Sequence, residues 1–188
     1  MLVAIGAFIP SLSAEFLNWD DGVVLVRNEA YRGLGWSQVR WAFTNTLVGH
    51  YMPLTWLTFG VNYALGGMNP WGYHAINVLL HGVNAALFLL IAVRLLTAVG
   101  NGRDASDARR IETPAIVAGS LLATLLFAVH PQRVEPVAWV TCRSTLLSGF
   151  FYLLAVLGYL RSTAGGPVMR WKWAGVASLG AFVAAVLS

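Results

Sequence analysis

The run AINVLLHGVNAALFLLIAVRLLTAV (residues 75–99) constrains this chain more than any other feature. A helix that crosses a bilayer needs about 20 mostly apolar residues, and this stretch has that length with one arginine near its end. Two further stretches meet the same requirement, TPAIVAGSLLATLLFAVH (113–130) and STLLSGFFYLLAVLGYL (144–160). Shorter apolar pieces stand at the two ends, MLVAIGAFIPSLSA (1–14) and the stretch 171–188. Both read as truncated spans, as if the chain were a piece of a longer protein. A signal peptide is the rival for residues 1–14, since SLSA resembles a cleavage site. No Lys or Arg precedes the run, however, as a signal peptide requires, and a membrane helix is favoured.

Composition supports this. Of the 188 residues 57% are hydrophobic and 11% charged, with a mean hydropathy of +0.66. A soluble domain of this size leaves too much surface wet to hide so much apolar material. The expected class is an all-α membrane protein, a polytopic helical bundle forming one transmembrane domain over 1–188. The one cysteine, Cys142, says nothing about redox compartment.

The connecting segments sort by charge. Two short loops, around 101–112 and 161–173, together with Arg94 hold seven of the twelve basic residues. The other side holds five, Arg27, Arg32, Arg40, Arg133 and Arg143. Cytoplasmic loops carry the excess of Lys and Arg, so the basic loops face the cytoplasm and the long 15–74 loop faces the periplasm or a lumen. Topology thus accounts for the net charge of +4, and no nucleic-acid partner is called for. The Arg-over-Lys and Ala/Gly/Leu/Val bias matches a GC-rich bacterial genome. Within the outer loop, LTWLTFGVNYALGG (54–67) is too short to span and suits an interfacial helix. GLGWSQVRWAFT places Trp36, Val39 and Phe43 at helical spacing and predicts a second. GMNPWGYH reads as a turn.

Two places in this frame could carry chemistry. Asp20 and Asp21, in EFLNWDDG, follow the first apolar run at the outer mouth of the bundle. They are either a solvated helix end or a catalytic pair, since adjacent carboxylates repel and one of them is thereby readied to take a proton. The hairpin HPQRVEPVAWVTCR groups His130, Arg133, Glu135 and Arg143. Charged groups at membrane depth pair or bind something. The choices are internal pairing of Glu135 with an arginine, or a lipid-phosphate site in which Arg offers its planar fork and His130 donates or shuttles a proton. His50 and Tyr51 touch a sugar or an acceptor, or anchor the loop. Asn77, His81 and Asn84 share a helix face and predict hydrogen bonds between helices. No His/Glu set has ligand spacing, so no metal or other cofactor is expected, although a divalent ion on Asp20, Asp21 and Glu135 remains chemically open.

The segments NWDD, YMPLTWLTFGVNYALGGMNPWGYHAINVLLHGVNAALF and LFAVHPQRVEPVAWVTCRSTLLSGFFYLLAVLGY resemble the membrane part of bacterial tetratricopeptide-repeat glycosyltransferases and the eukaryotic transmembrane O-mannosyltransferases. The resemblance implies the N-terminal part of a GT-C fold, in the bacterial inner membrane with its active site toward the periplasm, and with tetratricopeptide repeats beyond Ser188. It implies transfer of a mannose-like sugar from a polyprenyl-phosphate carrier to a hydroxyl of a protein or glycan. Asp20 or Asp21 would be catalytic. Arg143, Arg133 and His130 would hold the donor phosphate, with Glu135, His50 and Tyr51 in support or on the acceptor side. Where the family pattern has Arg before the Pro, this chain has Met52. As a fragment it would be inactive alone. A lipid-linked sugar flippase and a non-catalytic membrane scaffold are the alternatives.

Overall fold

A computed structural model describes residues 1–100, 112–163 and 168–188. Eight α-helices occupy them, joined by short 3-10 and π turns, with no strand among the described residues. They are α1 (Leu2–Phe8), α2 (Trp36–Thr44), α3 (Pro53–Gly66), α4 (Pro70–Gly100), α5 (Thr113–Val129), α6 (Val134–Ala138), α7 (Arg143–Thr163) and α8 (Val168–Val186). The all-α membrane-type class is as expected. The basic loop at 101–111, on which much of the topology argument falls, lies outside the described residues.

Two helices are long and apolar enough to cross a membrane, Pro70–Gly100 and Val140–Thr163. A third span forms if Thr113–Val129 and Pro131–Ala138 are taken together, though the pair bends by 54°. Pro131 causes that bend. A residue before proline is pushed out of the α region, and His130 is extended with ψ 134°. Leu2–Ser13 and Trp173–Val186 are shorter apolar helices.

The central helix, α4, begins earlier than its apolar run. GMNPWGYH is not simply a turn. Gly67 closes α3 at φ 62°, a conformation glycine takes without strain, with its N–H on Tyr63 O at 2.8 Å. Asn69 Oδ1 then accepts from Trp71 N at 3.1 Å and caps a helix whose first residue is Pro70, the position that suits proline. Tyr73 and His74 are thereby inside the helix, both buried.

The bundle assembles on α4. Its polar face holds as the spacing predicts. Asn77 Nδ2 donates to Trp139 O at 3.2 Å, His81 Nε2 meets Ala128 O at 2.9 Å, and Asn84 Nδ2 donates to Leu146 O at 2.9 Å. One face thus grips α5, the turn before α7, and α7 itself. α1 runs against α4 and sits so close to Gly82 that a Cβ there would lie 2.8 Å from Ile5 Cγ1. α8 packs along α7 through Ser178 Oγ to Ala155 O at 2.7 Å and Ser148 Oγ to Ala185 O at 2.8 Å. Its end reaches α3, where Leu54 N donates to Leu187 O at 3.1 Å. The amino ends of α4 and α7 and the carboxyl ends of α5 and α8 therefore share one end of the bundle.

The long loop folds over that end with a core of its own. Leu25, Tyr31, Ala42, Trp56, Phe59 and Tyr73 form it, with Trp41 packed alongside. α3 places Trp56 and Phe59 in that core. In α2 the stripe of Trp36 and Phe43 is exposed, and Ala42 with Trp41 faces the core instead. Trp41 and Trp56 meet edge to face at 5.0 Å, which docks this short helix on α3.

Candidate functional site

Both sequence-marked regions lie at this end of the bundle. The strap after α1 crosses the first turn of α4, with Phe16 set edge-on to Tyr73 at 5.3 Å. It ends in Asp20 and Asp21, which face different surroundings. Asp21 is 1% exposed. Its Oδ2 accepts from Leu17 N at 2.9 Å, and its Oδ1 accepts from Thr141 N at 3.2 Å. This carboxylate ties the strap to the turn that precedes α7. Asp20 is half-buried, and its carboxylate makes no hydrogen bond among the described residues. Beside them Trp19 rests on Trp139, ring centres 5.9 Å apart. Asp20, Asp21 and Glu135 all lie near enough to Cys142 for their charges to act on its thiol.

Arg143 enters the same turn from behind. It is 0% exposed. Nε donates to Asn77 Oδ1 at 2.8 Å, Nη1 to Asn62 Oδ1 at 2.6 Å and Thr58 Oγ1 at 3.3 Å, and Nη2 to Tyr73 O at 2.9 Å. Its guanidinium carbon lies 4.4 Å from the Phe59 ring centre. The fork is committed to neutral acceptors and an aromatic face. It is not presented to a cleft.

The other hairpin residues stand farther along. His130 is exposed, and its Nδ1 accepts from Gln132 N at 3.3 Å, capping the 131–133 turn. Arg133 lies over Phe127 at 4.4 Å, with a buried Nε that has no partner. Glu135 is exposed in the first turn of α6. The one ion pair among the described residues is Arg32 with Glu29 at 3.0 Å. Among the described residues neither Asp20 nor Asp21 is paired to an arginine, and Glu135 pairs with neither Arg133 nor Arg143. No group of three or more His, Cys, Asp or Glu among the described residues is arranged to hold a metal ion.

His50 and Tyr51 border a separate cleft of about 390 Å³ against Ser144, Thr145 and Ser148. The structure thus gathers Asp20, Asp21 and Glu135 around the 139–142 turn and packs Arg143 beneath it. Arg133 and His130 lie at the far end of α6.

Three contributors were not evident from sequence. Thr58 and Asn62 hold Arg143; a polar row Thr55, Thr58, Asn62 within an otherwise apolar α3 was their signal. His74 is 2% exposed with neither ring nitrogen bonded, close enough to Asp21 and Arg143 for their charges to act on it.

Fold and site together define a helical membrane-type chain with a buried and a half-buried aspartate side by side at one end. It is similar to protein O-mannosyl-transferases of animals. Identity is 39% over 172 residues with TMTC4 of Mus musculus, covering 85% of this chain and 22% of the mouse protein. It is 31% over 180 residues with TMTC2 of Mus musculus, covering 91% and 19%. With TMTC3 of Homo sapiens it is 38% over 136 residues, covering 72% and 12%. These relatives are eukaryotic, whereas the resemblance pointed first to bacterial proteins. The chain spans about a fifth of the length of the first two relatives. No family model matches, and no solved structure matches.

Proposed function

We propose that this chain is part of a membrane glycosyltransferase of the GT-C type. It moves a mannose-like sugar from a polyprenyl phosphate to an acceptor hydroxyl of a protein or glycan on the outer, periplasmic face of a bacterial inner membrane. The observation that carries the reading is the contrast between adjacent carboxylates. Asp21 is buried and held by two backbone N–H groups, while Asp20 beside it is partly open and unpartnered among the described residues. The names of the relatives, protein O-mannosyl-transferases, support it.

In this reading Asp20 is the general base and Asp21 the positioning residue. The acceptor O–H gives its proton to the Asp20 carboxylate as its oxygen bonds to the anomeric carbon. The bond from that carbon to the phosphate oxygen breaks, and the configuration inverts. The phosphate leaves with the electron pair, so no nucleotide is consumed. Arg133, whose Nε lacks a partner, and the exposed His130 meet the charge that develops on it. Arg143 holds the turn that aligns the two groups, Glu135 supports the acceptor side, and no metal is required.

The test is transfer of labelled mannose from a polyprenyl-phosphate donor by the full polypeptide in membranes. Asp20→Asn lowers kcat by about 100-fold or more, the usual share of a general base, with KM little changed. Arg133→Gln raises KM for the donor. Full activity in the Asp20→Asn/Asp21→Asn double variant overturns the mechanism.

A further inference from the structure

His74 stands where the strap, α4 and α7 meet, and the chemistry above leaves it unused. It is 2% exposed, and neither ring nitrogen has a hydrogen-bond partner. Unpaired polar nitrogens cost free energy when buried, so an enclosed imidazole without partners calls for a reason.

What faces the ring is mainly acceptors. The backbone of Ala14 and Glu15, at the start of the strap, lies beside it, just short of bonding geometry. An imidazole N–H can meet only the carbonyl oxygens there, and neither oxygen accepts from another backbone N–H among the described residues. Two charges bear on the ring, Asp21 from the strap and Arg143 from α7. Arg143 is spent on Asn77, Asn62, Thr58 and Tyr73. Each Asp21 oxygen accepts a single backbone N–H, and a carboxylate oxygen has a further lone pair to give. The Glu15 side chain is exposed. Tyr73, the neighbour on α4, has its hydroxyl on that of Tyr31 at 3.2 Å.

The count of donors decides what the ring can do. A neutral imidazole has one N–H and one lone pair, whereas an imidazolium has two N–H groups and no lone pair. Between two carbonyls and a carboxylate, the lone pair of the neutral ring is wasted, and both N–H groups of the charged ring find acceptors. A small closure of the strap completes those bonds.

We propose that His74 is a positioning residue, a latch whose doubly protonated ring draws the strap (14–21) onto α4 and so fixes Asp21 and, beside it, Asp20. The latch stands on the geometry; its bearing on transfer rests on the glycosyltransferase reading. Because the latched state takes up a proton, it holds at low pH and slackens as pH rises.

The experiment is hydrogen exchange of the strap, read by mass spectrometry on the full polypeptide in lipid nanodiscs. It is run at about pH 5 and about pH 8, the range in which histidine changes charge, with rates corrected for intrinsic amide exchange. His74→Gln presents two N–H donors at either pH, and His74→Phe keeps a ring with none. In the parent, protection of the 14–21 peptide is expected to be about tenfold higher at the lower pH, the worth of one hydrogen bond to a charged group. It stays high at both in His74→Gln and low at both in His74→Phe. In transfer of labelled mannose, kcat follows strap protection with KM unchanged. A parent strap whose protection ignores pH overturns the proposal, as does a folded His74→Phe that keeps the parent's pH dependence. So does a kcat indifferent to strap release in a protein whose transfer needs Asp20. Strap protection that follows His74 in a protein whose transfer ignores the aspartates supports the latch and sinks the mechanism. Aspartate-dependent transfer with a strap indifferent to His74 does the reverse.

Discussion

Arg143 offers the sharpest check on how this end of the bundle is held. The side chain is fully enclosed, with no carboxylate in ion-pair contact among the described residues. Three close acceptors meet it, Asn77 Oδ1 at 2.8 Å, Asn62 Oδ1 at 2.6 Å and Tyr73 O at 2.9 Å. Hydrogen bonds to a charged group contribute about 1.5–3 kcal/mol each, about 4.5–9 kcal/mol gross for three. Against this stands the desolvation of a buried cation, several kcal/mol. Arg143→Met keeps the volume, removes that cost and orphans the three acceptors. The net expectation is a loss of about 2–4 kcal/mol, read from reversible unfolding in bicelles. Arg143→Lys separates charge from shape. A lysine keeps the desolvation cost but presents its donors from a single point and cannot serve acceptors on α3 and α4 together. It is expected to be no better than Met. Stability of Arg143→Met within about 0.5 kcal/mol of the parent, or rescue by Lys, would refute the view that the guanidinium fork is what ties the helices.

Two other perturbations probe the cap above it. A Cβ at Gly60 would lie 2.5 Å from Gly33 O and 3.2 Å from Tyr31 O, both backbone atoms, so Gly60→Ala is expected to cost about 1–3 kcal/mol and to lower the thermal midpoint. Burial raises the Tyr31 phenol above its usual 10.0, with the hydrogen bond to Tyr73 and the charge of Arg32 opposing. Because the folded state holds this proton more tightly, the stabilisation is full below about pH 10 and is lost as pH rises through the raised value. Unfolding measured from pH 8 to 11 should show that decline, and Tyr31→Phe should remove Tyr31's share of it.

The bundle was legible in the sequence because apolar length and helical periodicity are local properties. Asn77, His81 and Asn84 show this, falling on one face by spacing alone and each bonding a neighbouring element. Where apolar length was the criterion, the start of α4 was missed, since an Asn-Pro cap extends a helix without adding hydropathy. The surroundings of the candidate residues were not legible. Asp20 and Asp21 are neighbours in sequence, yet they differ because Thr141 N, 120 positions away, bonds one of them. Arg143 read as a phosphate ligand because its partners lie 66 to 85 positions off in α3 and α4. Trp36, Val39 and Phe43 marked a helix by their spacing, and the face that helix buries is set by Trp41 meeting Trp56.

The buried acid and the buried base are joined by no ion pair among the described residues, and that separation has a physical use. Paired with each other, Asp21 and Arg143 would cancel and hold a single contact. Apart, each docks a different segment onto the same short turn. Asp21 brings the strap to Thr141, and Arg143 brings α3 and α4 to the start of α7. A turn fixed from both sides gives a defined position to Asp20, one residue from an anchored carboxylate. Glu135 lies on the short helix leading into that turn, with Arg133 immediately before it, and both inherit the same frame. Charges that solvent cannot reach thus set the geometry of the ones it can.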